Sequence, residues 1–504
     1  MERRVLAFDL GASSGRAVLG RYDGRGLYLE EVHRFKNDPV RMNGTLYWDG
    51  PRLFFELLEG MRKAARSGGF DAFAVDTWGV DFALIRQDGS LVDLPVHYRD
   101  ERSTGQAARV HRSIDEASLY RRTGLQAMEI NTIYQLAAIK EGRPWLLEGP
   151  VRLLMMSDWF SFLLSGDASS ERSIASTSGL LDRAHGDWSK ETLGVLGLDE
   201  GLCTPLVDPA TACGLLRAEL AGELGIPRVP CIRTAGHDTQ CAMAAVPSAE
   251  EDFAFISCGT WALLGTELDA PLTSEAARRA LFTNEIGAGG KTSFLRNLTG
   301  LWILQECRAA WEKEGSAYSW DELAALSQQE EPFTSLIDPA CSLFATGGDM
   351  PGKIRRFCTD TDQKAPRNVG AIVQCVYESL AFSFREALET LEGLTARSYP
   401  RLHLVGGGAR DRRLCALTAA LTGRPVLAGG AEATASGNAG LQLLALGEID
   451  SLPRLRTAIA HTADIRPFNP QEAGLPAAGI EGAWGRWQDL VAERRQQDKG
   501  GHTC

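Results

Sequence analysis

Short apolar runs alternate with small polar turns along the chain, and two of these turns follow one scheme. Residues 5–20 read V-L-A-F-D-L-G-A-S-S-G-R-A-V-L-G, which predicts a strand, a tight turn of glycines and hydroxyls, and a second strand. Residues 253–265, F-A-F-I-S-C-G-T-W-A-L-L-G, repeat that order. One such hairpin at the start of each half predicts an α/β chain built from a duplicated domain.

The first turn carries groups suited to an anion. Gly11 and Gly15 allow close backbone approach, and the residues between them have small side chains. Asp9 ends the incoming strand and is placed to hold a cation or its hydration shell. Taken alone, the same pattern equally fits an ordinary β-hairpin in which Asp9 is a turn acceptor.

A third stretch interrupts an apolar run with polar residues. Residues 70–85 predict a buried strand broken by D-T-W-G-V-D and resumed as F-A-L-I. Asp76, Trp78, Gly79 and Asp81 suit a polyhydroxylated ligand, or form a hairpin turn with a packed indole. Downstream, 92–97 is predicted as a strand, and the polar cluster 98–102 either binds sugar hydroxyls or forms surface ion pairs.

Residues 228–245 predict a strand that runs into Gly236, His237, Asp238 and Thr239, followed by a helix of small residues. Polar groups at this position carry the chemistry of many α/β folds, although a simple helix cap is the alternative. Proline and acidic residues at 246–251 then predict the boundary between the two halves.

The second half shows weaker signals. The segment G-A-G-G-K-T at 287–292 lacks the first glycine of a P-loop and predicts a structural hairpin turn. Residues 370–394 predict a long helix. A strand at 402–405 ends in three glycines at 406–408, where a purine would fit against bare backbone, although glycine-rich turns are common. A helix of small residues begins within 431–440.

Composition narrows the possible classes of protein. The 504 residues have 44% apolar content and a net charge of −12, typical of a globular protein and unlike a general nucleic-acid surface. No apolar run reaches the length of a membrane span, and no signal peptide precedes the first strand. The eleven cysteines include no C-x-x-C pair. We therefore expect a cytoplasmic protein without nucleic-acid or membrane partners.

Several motifs, in one order, resemble the FGGY carbohydrate kinases, whose nucleotide-binding core is similar to that of actin and hexokinase. The motifs are D-L-G-A-S-S-G-R, D-T-W-G-V-D-F, Y-R-D-x-R, N-T-x-Y-Q-L, G-H-D-T, S-C-G-T-W and V-G-G-G. The resemblance runs from about residue 4 to residue 470. One position departs from the general family pattern, because Gln135 stands where many members have lysine.

The resemblance implies an α/β fold of two duplicated ribonuclease H-like (actin/hexokinase-type) domains with an interdomain catalytic cleft. The implied domains are 1–245, which holds the sugar site, phosphate hairpin and catalytic base, and 246–475, which binds the nucleotide. A helix and polar tail follow at 476–504. The implied reaction is transfer of phosphate from MgATP to the C1 hydroxyl of a ketose, with L-rhamnulose expected. L-fuculose, L-ribulose and a non-enzymatic nucleotide-binding regulator stay as alternatives, and the protein is expected to be a monomer or small homo-oligomer.

The resemblance also assigns roles to individual residues. Asp238 is implied as the catalytic base and Asp9 as the protein's contribution to Mg²⁺ binding. The implied sugar contacts are Gly79, His237, Asp238, Thr239 and Asn297. The implied nucleotide contacts are Ala12, Ser13, Ser14, Gly15, Arg16, Thr260, Gln305 and Gly407.

Overall fold

The fold was established from a computed structural model that describes residues 2–248, 250 and 252–499. The strands are β1 (Arg3–Leu10), β2 (Ser14–Tyr22), β3 (Leu27–Lys36), β4 (Val40–Met42), β5 (Thr45–Tyr47), β6 (Ala72–Thr77), β7 (Phe82–Arg86), β8 (Val151–Met155), β9 (Ser170–Glu171), β10 (Leu181–Asp182), β11 (Asp187–Trp188), β12 (Leu206–Val207), β13 (Thr211–Leu215), β14 (Pro230–Arg233), β15 (Ala254–Cys258), β16 (Trp261–Leu268), β17 (Phe282–Ile286), β18 (Thr292–Thr299), β19 (Leu402–Val405), β20 (Val426–Ala428) and β21 (Arg466–Phe468).

The helices are α1 (Gly50–Arg66), α2 (Gln106–Val110), α3 (Glu116–Thr123), α4 (Thr132–Gly142), α5 (Met156–Ser165), α6 (Arg172–Ala175), α7 (Lys190–Leu196), α8 (Ala218–Leu224), α9 (Asp238–Ala244), α10 (Glu275–Arg279), α11 (Trp302–Lys313), α12 (Trp320–Ser327), α13 (Met350–Asp360), α14 (Val369–Thr395), α15 (Arg412–Thr422), α16 (Ala433–Ala445), α17 (Leu452–Thr462) and α18 (Ala477–Lys499). None of the described helices combines the length and apolar character needed to cross a bilayer.

The chain divides into two compact units. The first consists of Met1–Ala249, Glu267–Leu295 and Glu432–Ala463, and the second of Glu250–Thr266, Arg296–Ala431 and Asp464–Cys504. Helices α16 and α17, late in the sequence, therefore belong to the first unit. The domain boundaries that the family resemblance implies, at 245/246 and 475/476, concern functional halves of the chain. The division into packed units does not test them, so they stay a prediction.

A six-stranded mixed sheet in the order β13-β14-β6-β1-β2-β3 forms the centre of the first unit. Strands β1, β6 and β14 run parallel, whereas β2 is antiparallel to β1 and β13 to β14. The interior positions of β1, including Leu6 and Phe8, are completely buried, as expected of a central strand. Helix α1 begins at the cap Asp49, which accepts the Arg52 N–H, and buries Leu57 and Met61.

The second unit repeats this arrangement of strands. Five consecutive strands of its sheet follow the order β16-β15-β19-β20-β21. Strands β15, β19 and β20 are parallel, and β16 and β21 are antiparallel to their neighbours. In the first sheet, the strand order β2-β1-β6-β14-β13 shows the same pattern of parallel and antiparallel neighbours. The predicted α/β fold with two related mixed sheets is therefore confirmed, and both predicted hairpins are present.

Close helix packing explains the small residues of α16. A Cβ atom added to Gly437 would lie 1.8 Å from the Cys241 carbonyl oxygen on α9, so only glycine permits this approach. From the same helix, Asn438 donates to the carbonyl oxygen of Phe8 on β1, at 3.4 Å. The late helix thus packs directly on the central strand of the first unit.

One local prediction is wrong and another is confirmed. Residues 92–97 form no strand: isolated bridges join Val96 to Tyr47 and Leu91 to Ile85, because Pro95 lacks the N–H that a regular ladder needs. The interrupted run at 70–85 is confirmed as two strands, β6 and β7. Strand β6 lies in the six-stranded sheet, whereas β7 pairs with β8 in a separate two-stranded sheet.

Candidate active site

The turn between β1 and β2 is held in a fixed shape. Gly11 N–H donates to the Ser14 carbonyl oxygen at 2.9 Å, and the Asn37 amide donates to the Gly11 carbonyl oxygen at 2.8 Å. Within the described part of the chain, the N–H groups of Ala12 and Ser13 have no protein acceptor. Two free N–H groups in a fixed turn are suited to bind an anion such as a phosphate.

Asp9 and Arg16 form an ion pair at the base of this turn. They are opposite each other in the antiparallel register of β1 and β2. Arg16 Nε and Nη2 lie 2.9 and 2.8 Å from Asp9 Oδ2, and Arg16 Nη1 also pairs with Glu432. Burial raises the pKa of Asp9, and the Arg16 charge partly opposes that rise. Arg16 thus anchors Asp9 through one carboxylate oxygen.

Asp76 places a second buried carboxyl group beside Asp9. The two are partners in the parallel register of β1 and β6, where neighbouring strands are separated by about 4.8 Å. Asn438 donates to Asp76 Oδ2 at 2.6 Å, while Asp76 Oδ1 is one of the described buried atoms without a hydrogen-bond partner. Burial, followed by the Asp9 charge, raises the pKa of Asp76 well above its usual value.

This carboxylate pair is compatible with Mg²⁺ but is not a complete protein cage. Among the described residues no group of three or more His, Cys, Asp or Glu side chains is arranged to hold a metal ion. Mg²⁺ commonly uses one or two carboxylates and completes its shell with water and substrate phosphates. Asp9, next to the anion-binding turn, fits that limited contribution.

The loop after β14 places Asp238 at the carboxyl end of the sheet. Thr77 N–H donates to the Gly236 carbonyl oxygen at 2.9 Å, and Gly236 N–H donates to Glu171 Oε2 at 2.7 Å. A Cβ atom on Gly236 would lie 2.5 Å from Ser157 Oγ, so glycine is required by close approach. These contacts hold the loop from both sides.

One oxygen of Asp238 is engaged and the other is available. Oδ1 accepts the Thr239 N–H at 2.6 Å and the Thr239 hydroxyl at 3.2 Å. No group among the described residues donates to Oδ2, and the side chain is 29% exposed. Burial raises the pKa of Asp238 to about 6, with the His237 charge opposing the rise and Asp9 adding to it. Asp238 is therefore ionised at neutral pH and can accept a proton.

His237 lies between two carboxylates. Its Nδ1 donates to Glu285 Oε2 at 2.8 Å, and its Nε2 is 3.4 Å from Asp238 Oδ1. Although burial lowers the pKa of His237, the carboxylates of Glu285, Asp238 and Glu171 together outweigh it and bring that pKa to about 9, with Glu285 contributing most. Gly79 borders the imidazole, since a Cβ atom there would be 3.2 Å from His237 Nε2.

The segment between β6 and β7 is strained and firmly held. Val80 has a φ of 67°, a conformation that is rare for β-branched residues. Its N–H donates to Thr177 Oγ1 at 3.0 Å, and its carbonyl oxygen accepts the Thr132 hydroxyl at 2.6 Å. Such strain persists only where the surrounding structure enforces it, and it concentrates at functional sites.

Asp81 organises an aromatic wall next to this segment. Its Oδ2 accepts the Trp48 and Trp78 indole N–H groups at 2.6 and 3.0 Å, and its Oδ1 accepts the Gln135 amide at 2.8 Å. Arg102, a residue of the polar cluster 98–102, donates to Gln135 Oε1 at 2.7 Å and so holds the amide that donates to Asp81. Burial raises the pKa of Asp81 to about 6, and its three side-chain donors oppose that rise.

The second unit holds another group of predicted residues. Thr260 Oγ1 donates to Gln305 Oε1 at 3.1 Å. Gly406 and Gly408 pack closely on Cys258, two residues before Thr260, while a Cβ atom on Gly407 would meet nothing within 4 Å. Asn297 lies half-buried on β18, and its amide has no hydrogen-bond partner among the described residues.

The predicted site residues thus form two groups, one in each unit, and their roles stay predictions. The first unit brings together the phosphate turn (Ala12, Ser13, Ser14, Gly15, Arg16), Asp9, Gly79, His237, Asp238 and Thr239. The second contains Thr260, Gln305, Gly407 and Asn297. Sequence reasoning missed Glu285, Glu171 and Asn438, because each belongs to a segment distant along the chain with no motif of its own.

Comparison with known proteins agrees with this fold. The N-terminal domain of the FGGY family of carbohydrate kinases matches residues 4–245, and the C-terminal domain of that family matches residues 254–446. The rhamnulokinase of Bacteroides thetaiotaomicron is 37% identical over 473 residues, which cover 94% of this chain and 97% of the relative. The rhamnulokinase of Enterococcus faecalis is also 37% identical, over 94% of this chain and 96% of the relative.

Solved structures share the fold over nearly the whole chain. A ligand-bound xylulose kinase from Lactobacillus acidophilus has a TM-score of 0.81 at 14% identity, covering 98% of both chains. Glycerol kinase from Plasmodium falciparum with ADP has a TM-score of 0.79 at 14% identity, again covering 98% of both chains. The fold and the matches to both family domains define an α/β phosphotransferase. The chain belongs to the FGGY family of carbohydrate kinases and is an ATP-dependent sugar kinase.

Proposed function

We propose that the chain transfers the γ-phosphoryl group of ATP to the C1 hydroxyl of L-rhamnulose, giving L-rhamnulose 1-phosphate and ADP. The observation that carries the reaction type is Asp238, whose Oδ1 is fixed by Thr239 and whose Oδ2 has no donor among the described residues. The choice of sugar is supported by 37% identity to two rhamnulokinases over 94% of the chain.

In this proposal Asp238 accepts the proton of the attacking hydroxyl. Phosphoryl transfer is achieved mainly by positioning and by charge stabilisation, and it needs an acceptor for that proton. The fixed Oδ1 orients the carboxylate, and the free Oδ2 receives the proton. Gly79, His237, Thr239 and Asn297 are proposed to contact the sugar, and Gly79 leaves room beside the His237 imidazole.

The nucleotide contacts are proposed on the two hairpin turns. The free N–H groups of the first turn would bind phosphate oxygens, and Thr260, Gln305 and Gly407 would contact the rest of the nucleotide. Asp9 would hold Mg²⁺ through its hydration shell, and the ion would supply charge neutralisation on the phosphates. The boundaries of the two functional halves are proposed at 245/246 and 475/476.

The test is an ADP-release assay with MgATP and a panel of L-rhamnulose, L-fuculose, L-ribulose, D-xylulose, D-fructose and glycerol. We expect kcat/KM for L-rhamnulose to exceed that for every other acceptor. A preference for L-fuculose or L-ribulose would refute the sugar assignment and leave the reaction type standing. Nucleotide binding without turnover on any acceptor would refute the proposal and favour a nucleotide-binding regulator.

A further inference from the structure

We propose that Glu285 is a positioning residue for the catalytic base: it acts through His237 to keep Asp238 ionised and correctly oriented. This inference rests on the proposed function, because it takes Asp238 as the base. Glu285 lies on β17, in a segment that carries no recognisable motif, and is separated from His237 by 48 positions along the chain.

Direct contacts connect Glu285 to His237 and His237 to Asp238, and these three side chains are called the relay below. Glu285 Oε2 accepts the His237 Nδ1–H at 2.8 Å, and the opposite ring nitrogen, Nε2, lies 3.4 Å from Asp238 Oδ1. A carboxylate that accepts a hydrogen bond from one ring nitrogen fixes the ring orientation, and its charge favours protonation of the other nitrogen. The imidazolium is therefore directed at the same oxygen that Thr239 already holds.

The carboxylate of Glu285 is itself locked in place. It is 5% exposed, and Oε2 also accepts the Gln240 amide at 2.7 Å. Gln240 is completely buried, and its own carbonyl oxygen accepts the Ser293 hydroxyl at 2.5 Å. Because burial and the Gln240 hydrogen bond hold the Glu285 carboxylate away from solvent, its charge acts on His237.

Other charged groups face the relay from neighbouring elements. Glu171, the last residue of β9, acts on His237, and Arg183 acts on Glu285. Asp9 and Asp76 on the adjacent strands interact with Asp238. Because several carboxylates surround the base, an unassisted Asp238 would hold its proton more tightly. The positive charge of His237 opposes this retention of the proton by Asp238. That charge depends on Glu285, because burial alone disfavours an imidazolium.

The experiment compares pH profiles of kcat/KM for the full-length Glu285→Gln variant and the unaltered protein. Glutamine keeps the shape of the Glu285 side chain and removes its charge, so His237 becomes neutral. Without the His237 cation the pKa of Asp238 rises, and the fall of kcat/KM at low pH (the acidic limb) moves to higher pH by about one unit, within the usual effect of one nearby charge. Activity at pH 6 should fall about fivefold while activity at pH 8 stays within about twofold of the unaltered protein.

Two further variants control for a structural effect. Glu267→Gln removes the charge of another buried glutamate, one paired with Arg456 at 2.7 Å, and should leave the acidic limb in place. Glu285→Asp keeps the charge and should retain the limb near its original position. An unchanged limb in Glu285→Gln, or an equal loss of activity at every pH, would overturn the inference.

A second measurement is independent of turnover. NMR titration of labelled histidine, with the His237→Gln variant to identify the signal, should show the His237 pKa lowered so far in Glu285→Gln that the ring is largely neutral at pH 6–7, where it is protonated in the unaltered protein. An unchanged titration would overturn the role of Glu285, even if the sugar kinase activity is confirmed. Absence of activity in the unaltered protein, with the expected titration shift, would refute the proposed function alone.

Discussion

Replacement of Asp238 by asparagine tests the centre of the proposed mechanism. Asparagine can still accept the Thr239 N–H through its carbonyl oxygen, which preserves the local hydrogen bond seen at 2.6 Å, but it cannot accept a proton. Loss of a general base typically lowers turnover by about 10²–10⁴-fold. We expect kcat to fall in this range while the affinity for ATP is retained, as measured by ADP release and calorimetry.

The pH dependence makes this prediction more stringent. Since the pKa of Asp238 is about 6 and the base must be ionised, kcat/KM of the unaltered protein should fall as pH decreases through 6. Between pH 7 and pH 5 the ionised fraction drops about tenfold. The asparagine variant should lack this limb, so its deficit relative to the unaltered protein shrinks about tenfold at pH 5.

Two results would refute this reasoning. One is a kcat for the asparagine variant near that of the unaltered protein, and the other is a variant that keeps the acidic limb. Thermal unfolding is the control for folding: because asparagine does not carry the cost of burying a charge, we expect no large decrease in Tm. A variant that fails to bind ATP would show that the substitution disturbs more than the base.

Three further predictions concern the loop, the nucleotide turn and the aromatic wall. Gly236→Ala should lower kcat about 10²-fold in the ADP-release assay, because its Cβ would lie 2.5 Å from Ser157 Oγ and displace the loop that carries the base; full activity would contradict the close packing. Thr260→Val removes the 3.1 Å bond to Gln305 and should raise KM for ATP about fivefold, with KM for the sugar as the internal control. Asp81→Asn should reduce the free energy of unfolding by about 1–3 kcal/mol in urea titrations, since its amide would face another donor; an unchanged midpoint would count against it.

Local patterns predicted many elements with accurate bounds. Strand β19 occupies the predicted residues 402–405, and the long helix α14 extends only one residue beyond the predicted 370–394 at each end. These segments have strong periodicity and clear ends, so their structure is decided by nearby residues. The prediction of a strand at 92–97 was wrong. Pro95 has no N–H to donate, and this segment makes only isolated bridges to other segments instead of a regular ladder.

The same contrast holds for the candidate site. Asp9 and Asp238 were identifiable because the first ends a predicted strand and the second follows one, each near glycines and hydroxyls. Glu285 belongs to no motif that the sequence reveals, and Asn438 lies 362 positions from the Asp76 carboxylate to which it donates. Such partners have no local signature, because their spacing is set by sheet and helix packing.

The sequence by itself determined the duplicated strand-turn-strand units and the chemical types of the residues that end each strand. Backbone conformation and side-chain chemistry are local properties, so short segments are sufficient to reveal them. Only the tertiary structure decided which carboxylates are neighbours and which charges they carry. Burial raises the pKa of Asp76, and the pairing of His237 with Glu285 keeps an imidazolium beside Asp238. Both effects depend on desolvation and on distances between remote segments, which exist only after the chain has folded.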